Sequence, residues 1–229
     1  NIIIFYFLTF WVFVGRFGNI FMGTVRVRWC RKQNYYDNDS WRGTWSLDGG
    51  VLANQASHHI DMLQWILGEP QSVFAYSKQS IANIEAEDTA VAILKFKNGS
   101  IGIVEATTAT RPKDLEGSIS ILGDKGTCVI GGFAVNEMKT WEFTEKMEGD
   151  DLVQEKYSVN PPNVYGYGHK EYYNHVVESL RNETKSFLDA NQGKKSLEII
   201  CAIYESIHLK KEIHFPLSST LNPLGMKNE

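Results

Sequence analysis

Between residues 72 and 130 the chain passes through five short segments rich in β-formers, and the turns between them restrict the fold sharply. Segments 89–97 and 100–108 are separated by Asn98-Gly99, and segments 118–122 and 127–130 by Gly123-Asp124-Lys125-Gly126. In both turns glycine can supply a positive φ, so each pair is expected as an antiparallel hairpin. Segment 72–78 adds another strand, and 138–144 and 152–158 read as two further ones. Upstream, 20–31 alternates, with Val25, Val27 and Trp29 on one face and Thr24, Arg26 and Arg28 on the other. That is a half-buried strand with a basic second face.

Helices flank this block. From Asp48 the Gly49-Gly50 pair leads into a helical pattern ending near Leu67, with Gly68 and Pro70 as stop signals. Leu52, Ala56, Ile60, Leu63 and Leu67 form its apolar stripe. Helices are also expected over 169–182 and 194–211, and Pro216 ends the regular structure. The expected class is α+β: an open, mostly antiparallel β-sheet with helices on one face, the other face free for subunit or cofactor-domain packing.

The 229 residues suffice for one large domain, assigned to 15–229. Residues 2–14 are apolar except for Thr9, too short a run to span a bilayer and without signal-peptide features. They read as the edge of a larger core, a membrane-touching segment, or a truncation or artefact; the last is favoured, since no helix or strand punctuation is visible. The first residue, Asn1 rather than Met, fits a fragment. Three cysteines without a C-x-x-C spacing argue against a disulfide framework or structural zinc and for a cytoplasmic location. A net charge of −4 gives no pull toward nucleic acid or an anionic membrane. No G-x-G-x-x-G unit follows a strand, so no dinucleotide-binding fold is expected within this sequence.

The chemistry concentrates at the helix start. On one helix, Asn54, His58, Asp61 and Trp65 fall at i, i+4, i+7 and i+11 and share a face. An imidazole with a carboxylate three residues on is a workable general base, the carboxylate orienting the ring. The paired glycines would let a ligand approach backbone N–H groups. His59 faces away from this set and is read as structural or exposed. A metal site from His58, His59 and Asp61 is disfavoured, because adjacent histidines diverge on a helix; no metal is assigned. A second candidate is the basic, aromatic segment holding Arg26, Arg28, Arg31, Lys32, Tyr35, Tyr36, Trp41, Arg42 and Trp45. Guanidinium groups there could bind phosphate and aromatic faces could stack on sugar or base rings. For Arg26 and Arg28 an ordinary solvated or subunit-facing surface is an equal reading. The loop Tyr165-Gly166-Tyr167-Gly168-His169 either shapes a pocket or is a plain helix entry.

Taken together, these segments resemble the C-terminal domain of the glucose–fructose oxidoreductase / inositol dehydrogenase family (Gfo/Idh/MocA), from about Gly15 to Leu217. The family motif G-G-G-x-x-x-D-x-G-x-H-x-x-D corresponds here to Gly49-Gly50-Val51 through Asn54, Ala56, His58 and Asp61. The closing stretch from Ser186 to Asp189, Gly193 to Glu198 and Tyr204-Glu205-Ser206 is similar to the family's last helix. Within the family, the Trp41–Trp45 segment and the His169 loop look most like UDP-N-acetylglucosaminuronate 3-dehydrogenases.

The resemblance implies an NAD- or NADP-dependent oxidation of a sugar or nucleotide-sugar hydroxyl, at C3 of a UDP-N-acetylhexosamine derivative. His58 would take the hydroxyl proton, and a lysine of a separate Rossmann domain would stabilise the oxyanion. Tyr35, Trp41, Arg42, Trp45, Tyr165 and His169 would contact substrate or cofactor, and the free sheet face would form a homo-oligomer. Nucleic acid and membrane are not expected partners. Asn54 stands where many members have Asp, so either Asp61 takes over the orienting of His58 or the base is less basic. With the Rossmann domain outside this sequence, the chain alone is expected to bind no cofactor and to be inactive. The alternatives are a non-catalytic oligomerisation or ligand-binding module and a metal-dependent hydrolase.

Overall fold

The computed structural model describes residues 2–132, 135–158, 168–184, 186, 190–218 and 221–226. Its centre is β1 (Ile20–Arg28), whose alternation buries Val25 and Val27 completely and turns Arg26 and Arg28 to the opposite face. Around it lie β2 (Pro70–Lys78), β3 (Thr89–Phe96), β4 (Ile101–Thr107), β5 (Glu116–Gly123), β6 (Gly126–Gly131), β7 (Glu137–Phe143) and β8 (Ile213–His214). They form one eight-stranded open sheet in the order β7-β6-β5-β1-β4-β3-β2-β8. Both turn signatures give antiparallel hairpins, β3–β4 and β5–β6. Among the described residues the single parallel pair is β1 with β4, in register from Met22 opposite Ile101 to Arg28 opposite Thr107. β8, unassigned from sequence, pairs with β2 through Ser72–His214 and Val73–Ile213.

One face of the sheet is covered by α4 (Ser57–Leu67), which lies over β1, and by α7 (Ala190–Leu209), which lies over β2. The apolar stripe does this: Leu52, Ala56, Ile60, Leu63 and Leu67 are all fully buried. Each large side chain among them contributes about 1.5–3 kcal/mol by leaving water. Close approach also needs Gly23, where a Cβ would lie within 3.0 Å of the Leu63 and Leu67 methyl carbons.

The other face is open. At its centre Arg28 binds Glu105 through two hydrogen bonds of 2.5 and 2.8 Å and Glu116 at 3.0 Å. Arg26 stands 3.8 and 3.7 Å from the same two carboxylates. Beside this quartet, the β2, β3 and β4 side chains Tyr76, Val91, Ile93 and Ile101 are exposed to solvent.

Three expectations change. The helix expected over 48–67 is two: α3 (Val51–Asn54) and α4. The break comes where the Ala56 N–H reaches back to the Val51 carbonyl at 2.8 Å, one residue beyond the α-helical partner. Segment 152–158 is not a strand, because α5 (Asp150–Lys156) occupies it and buries Val153. Asp150 and Asp151 in its first turn and Lys156 in its last match the helix dipole. Residues 2–13 form α1 (Ile2–Phe13) despite the missing punctuation. Ile4 and Leu8, one turn apart, enter the core, and Phe7 stacks on Tyr157 with centroids 4.1 Å apart. Among the described residues no helix is long and apolar enough to cross a membrane. Two further helices are α2 (Gln33–Asp37), within the basic, aromatic segment, and α6 (Gly168–Arg181). The chain end returns to the helix side, where the Gly225 N–H donates to the Trp45 carbonyl at 2.7 Å.

Candidate functional site

α4 begins at the edge of the covered face, and its first turn presents His58 to solvent while His59 is wholly buried. The His58 ring lies 6.4 Å from Trp29 and 5.1 Å from His59, centroid to centroid. Loss of surrounding water lowers its pKa below the ordinary histidine value, so the ring is neutral at pH 7 and able to accept a proton. His59 packs edge-on to Trp29 at 5.9 Å, and neither ring nitrogen has a hydrogen-bond partner. Burial, with the neighbouring His58 adding to it, pushes its pKa down to about 3. The structural reading of His59 therefore holds.

The four residues expected on one face do not act as a unit. Asn54 lies in α3, ahead of the break, and its Nδ2 donates to Asp48 Oδ1 while its Oδ1 accepts from Gln55 Nε2 at 2.8 Å. Gln55 also reaches the Tyr35 hydroxyl at 3.3 Å, and Asp48 Oδ2 accepts from the Gly43 N–H at 2.8 Å. A polar chain thus runs from Gly43 through Asp48, Asn54 and Gln55 to Tyr35. Asp61 is turned elsewhere. Burial raises its pKa, and the Ser196 hydroxyl on α7 partly offsets this. No hydrogen bond among the described residues links Asp61 to His58, so the orienting role expected of it has no geometric support. Trp65 lies partly exposed farther along the helix.

The aromatic, basic segment folds into a stack beside this chain. The Arg42 guanidinium sits 4.1 Å over Tyr35 and 5.3 Å from Trp41, and the Arg31 guanidinium sits 5.2 Å from Trp29 and 5.5 Å from Tyr35. Alternating rings and cations therefore lead from Trp29, next to His58, out to Trp41 at the surface. Arg42 is held by the Tyr35 carbonyl at 2.7 Å and by Asp39 at 2.9 Å; Arg31 is held by Asp114 at 3.2 Å. Arg26 and Arg28 are excluded from this site, since they project from the opposite face of the sheet into the Glu105 and Glu116 carboxylates. Trp45 is inward: its ring packs edge-on against Tyr204 at 5.2 Å, and its backbone N–H donates to Glu85 Oε2 at 3.0 Å. Tyr165 and the side chain of His169 lie outside the described residues.

The glycine pair does not offer its N–H groups to a ligand. The Gly49 N–H donates to the Thr44 carbonyl at 2.8 Å, Gly50 to the Tyr204 hydroxyl at 3.1 Å, Val51 to the Glu87 carbonyl at 2.9 Å and Leu52 to Glu87 Oε1 at 3.0 Å. That corrects the expected ligand cradle at this turn: the donors are consumed internally by residues that no local pattern pointed to. Glu87 carried no motif, Tyr204 was picked out only as part of the closing helix, and Asp48 and Gln55 were visible only as neighbours of the helix-start motif.

The fold and this site define a domain that presents an imidazole and an aromatic–cation stack on the helix-covered side of an open sheet. Residues 12–215 match the oxidoreductase family, C-terminal alpha/beta domain, and the chain belongs to that family. It is similar to the WlbA dehydrogenase from Bordetella pertussis in complex with NADH and UDP-GlcNAcA, with 43% identity and a TM-score of 0.86 over 92% of this chain and 61% of that one. The WlbA enzyme from Chromobacterium violaceum, in complex with the same two molecules, gives 42% identity and a TM-score of 0.85 over 93% of this chain and 60% of that one. Myo-inositol 2-dehydrogenase of Thermotoga maritima is 23% identical over 172 residues, 73% of this chain and 49% of that one. The chain thus spans about half the length of the inositol dehydrogenase and about three fifths of the two WlbA enzymes.

Proposed function

We propose that this chain is the substrate-binding and oligomer-forming half of an NAD(P)-dependent dehydrogenase that oxidises a hydroxyl of a UDP-sugar, at C3 of an N-acetylhexosamine derivative. The observation that carries this reading is the neutral, solvent-reaching His58 beside the Trp29–Arg31–Tyr35–Arg42–Trp41 stack, in a chain 43% identical to a WlbA dehydrogenase.

His58 accepts the proton of the reacting hydroxyl. Its lowered pKa keeps it unprotonated at working pH, which supports this role. Asn54 cannot act as a base. Its amide still has one N–H and one lone pair beyond those given to Asp48 and Gln55, enough to orient the hydroxyl. Arg31 and Arg42 are partnered by the surface carboxylates Asp114 and Asp39. A diphosphate would take the place of these carboxylates, with the uridine or sugar ring laid on an aromatic face. The glycine turn offers no cradle for a dinucleotide, since its N–H groups are occupied. A nicotinamide cofactor held by another domain would take the hydride, and the chain by itself is inactive.

The test is titration of UDP-GlcNAcA into the purified chain, followed by tryptophan fluorescence and calorimetry, alongside an assay with NAD. Saturable quenching without turnover is expected. Absence of binding in both measurements would remove the substrate-binding reading, and turnover by the chain alone would remove the claim that it needs a partner domain.

A further inference from the structure

α3 has no side-chain cap of its own, because its N-cap residue is Gly50. The cap comes instead from the loop before β3. The Glu87 carbonyl accepts from Val51 N at 2.9 Å and Glu87 Oε1 from Leu52 N at 3.0 Å. The Tyr204 hydroxyl accepts from Gly50 N at 3.1 Å and donates to Glu87 Oε1 at 3.0 Å. Glu87 is almost fully buried, and its Oε2 has no hydrogen-bond partner among the described residues. That oxygen is pressed against Gly50, where a Cβ would come within 2.3 Å of it.

We propose that Glu87 is a positioning residue: by capping α3 from outside, it sets the place of Asn54, four residues before His58 in the chain, and of the Asp48–Asn54–Gln55–Tyr35 hydrogen-bond chain. This rests on the reading of Asn54 and His58 as site residues. A carboxylate is a common helix cap, but a buried one ordinarily has both oxygens partnered. Here a carboxylate is used with two donors on one oxygen and none on the other, and no cation faces it among the described residues. The titratable groups acting on it are Tyr204 from α7 and Asp88, next in its own loop; α3 contributes backbone alone. Asp88 is engaged elsewhere, accepting from the Ser80, Ile81 and Ala82 N–H groups at 2.7, 2.7 and 2.8 Å. Burial pushes the Glu87 pKa up to about 7. The cap therefore changes between a neutral and a charge-assisted form in the neutral range, and the bond to Leu52 tightens as the carboxylate ionises.

The experiment is a pH series of NMR spectra of the whole chain labelled with 15N at Leu and Asn. The expected result is a downfield shift of the Leu52 amide proton with a midpoint near 7, and the Asn54 side-chain amide moving with the same midpoint. Both responses vanish in Glu87→Gln. The 13C carboxyl resonance of Glu87 in the wild-type chain identifies the titrating group should that variant not fold. A Leu52 amide that stays flat while the Glu87 carboxyl also stays flat overturns the proposal. So does a Leu52 titration that Asn54 does not follow, because Glu87 would then cap α3 without positioning the site. These readouts need no ligand, so a failure of the cap to position Asn54 is read separately from a failure of UDP-GlcNAcA to bind, which counts against the functional reading.

Discussion

The Tyr204 hydroxyl, on the long closing helix, donates to Glu87 Oε1 at 3.0 Å and at the same time receives the Gly50 N–H at 3.1 Å. One phenol thus joins α7, the loop before β3 and the glycine turn. Tyr204→Phe would leave the Gly50 N–H buried without an acceptor and take one donor from Glu87. The expected loss is about 1–3 kcal/mol of stability, measured as a lower urea midpoint at unchanged slope.

His59 predicts an acid limb in the stability curve. Its folded pKa of about 3 lies below the ordinary histidine value of 6.5. Above 6.5 both folded and unfolded chains hold it neutral, and its full contribution is present. As pH falls from 6.5 toward 3, only the unfolded chain takes up the proton, so stability is lost, by up to about 5 kcal/mol. His59→Phe keeps a ring against Trp29 and removes that proton site. Thermal unfolding between pH 4 and 7 should therefore show a shallower acid decline in the variant; parallel curves would mean that His59 is not the group responsible.

Arg42 separates binding from folding. Its guanidinium lies over Tyr35 and Trp41 and is held by surface Asp39. Arg42→Ala is expected to weaken UDP-GlcNAcA binding by about tenfold, close to one charge-assisted hydrogen bond, with circular dichroism unchanged. Equal affinities for wild type and variant would take the diphosphate away from this stack.

On the open face, Ile93 is half exposed and stands opposite Phe74 on β2 and Ile103 on β4. Its apolar neighbours Tyr76, Val91 and Ile101 make a surface suited to a second copy of the chain. Ile93→Glu should leave the fold intact, since Ile93 is exposed within one chain, and pairing of copies through this face predicts a lower sedimentation coefficient for the variant. An unchanged sedimentation coefficient would take self-association away from this face.

What the sequence determined by itself was local. Alternation in β1, the Asn98-Gly99 turn and the stripe from Leu52 to Leu67 are set by side-chain periods and glycine dihedrals, which act within a few residues. Motif spacing likewise picked out His58 and Asn54. Segment 152–158 went astray because Leu152, Val153 and Tyr157 suit either period over so short a run; the charges of Asp150, Asp151 and Lys156 were the better signal. Only the tertiary structure decided the rest. It paired β1 in parallel with β4, it turned Asp61 to Ser196 instead of His58, and it closed the glycine turn with Glu87 and Tyr204. Glu87 is 35 residues from Leu52, and Tyr204 is 154 from Gly50. A buried N–H must find an acceptor wherever the packed chain supplies one, and contacts of that reach leave no period in the sequence.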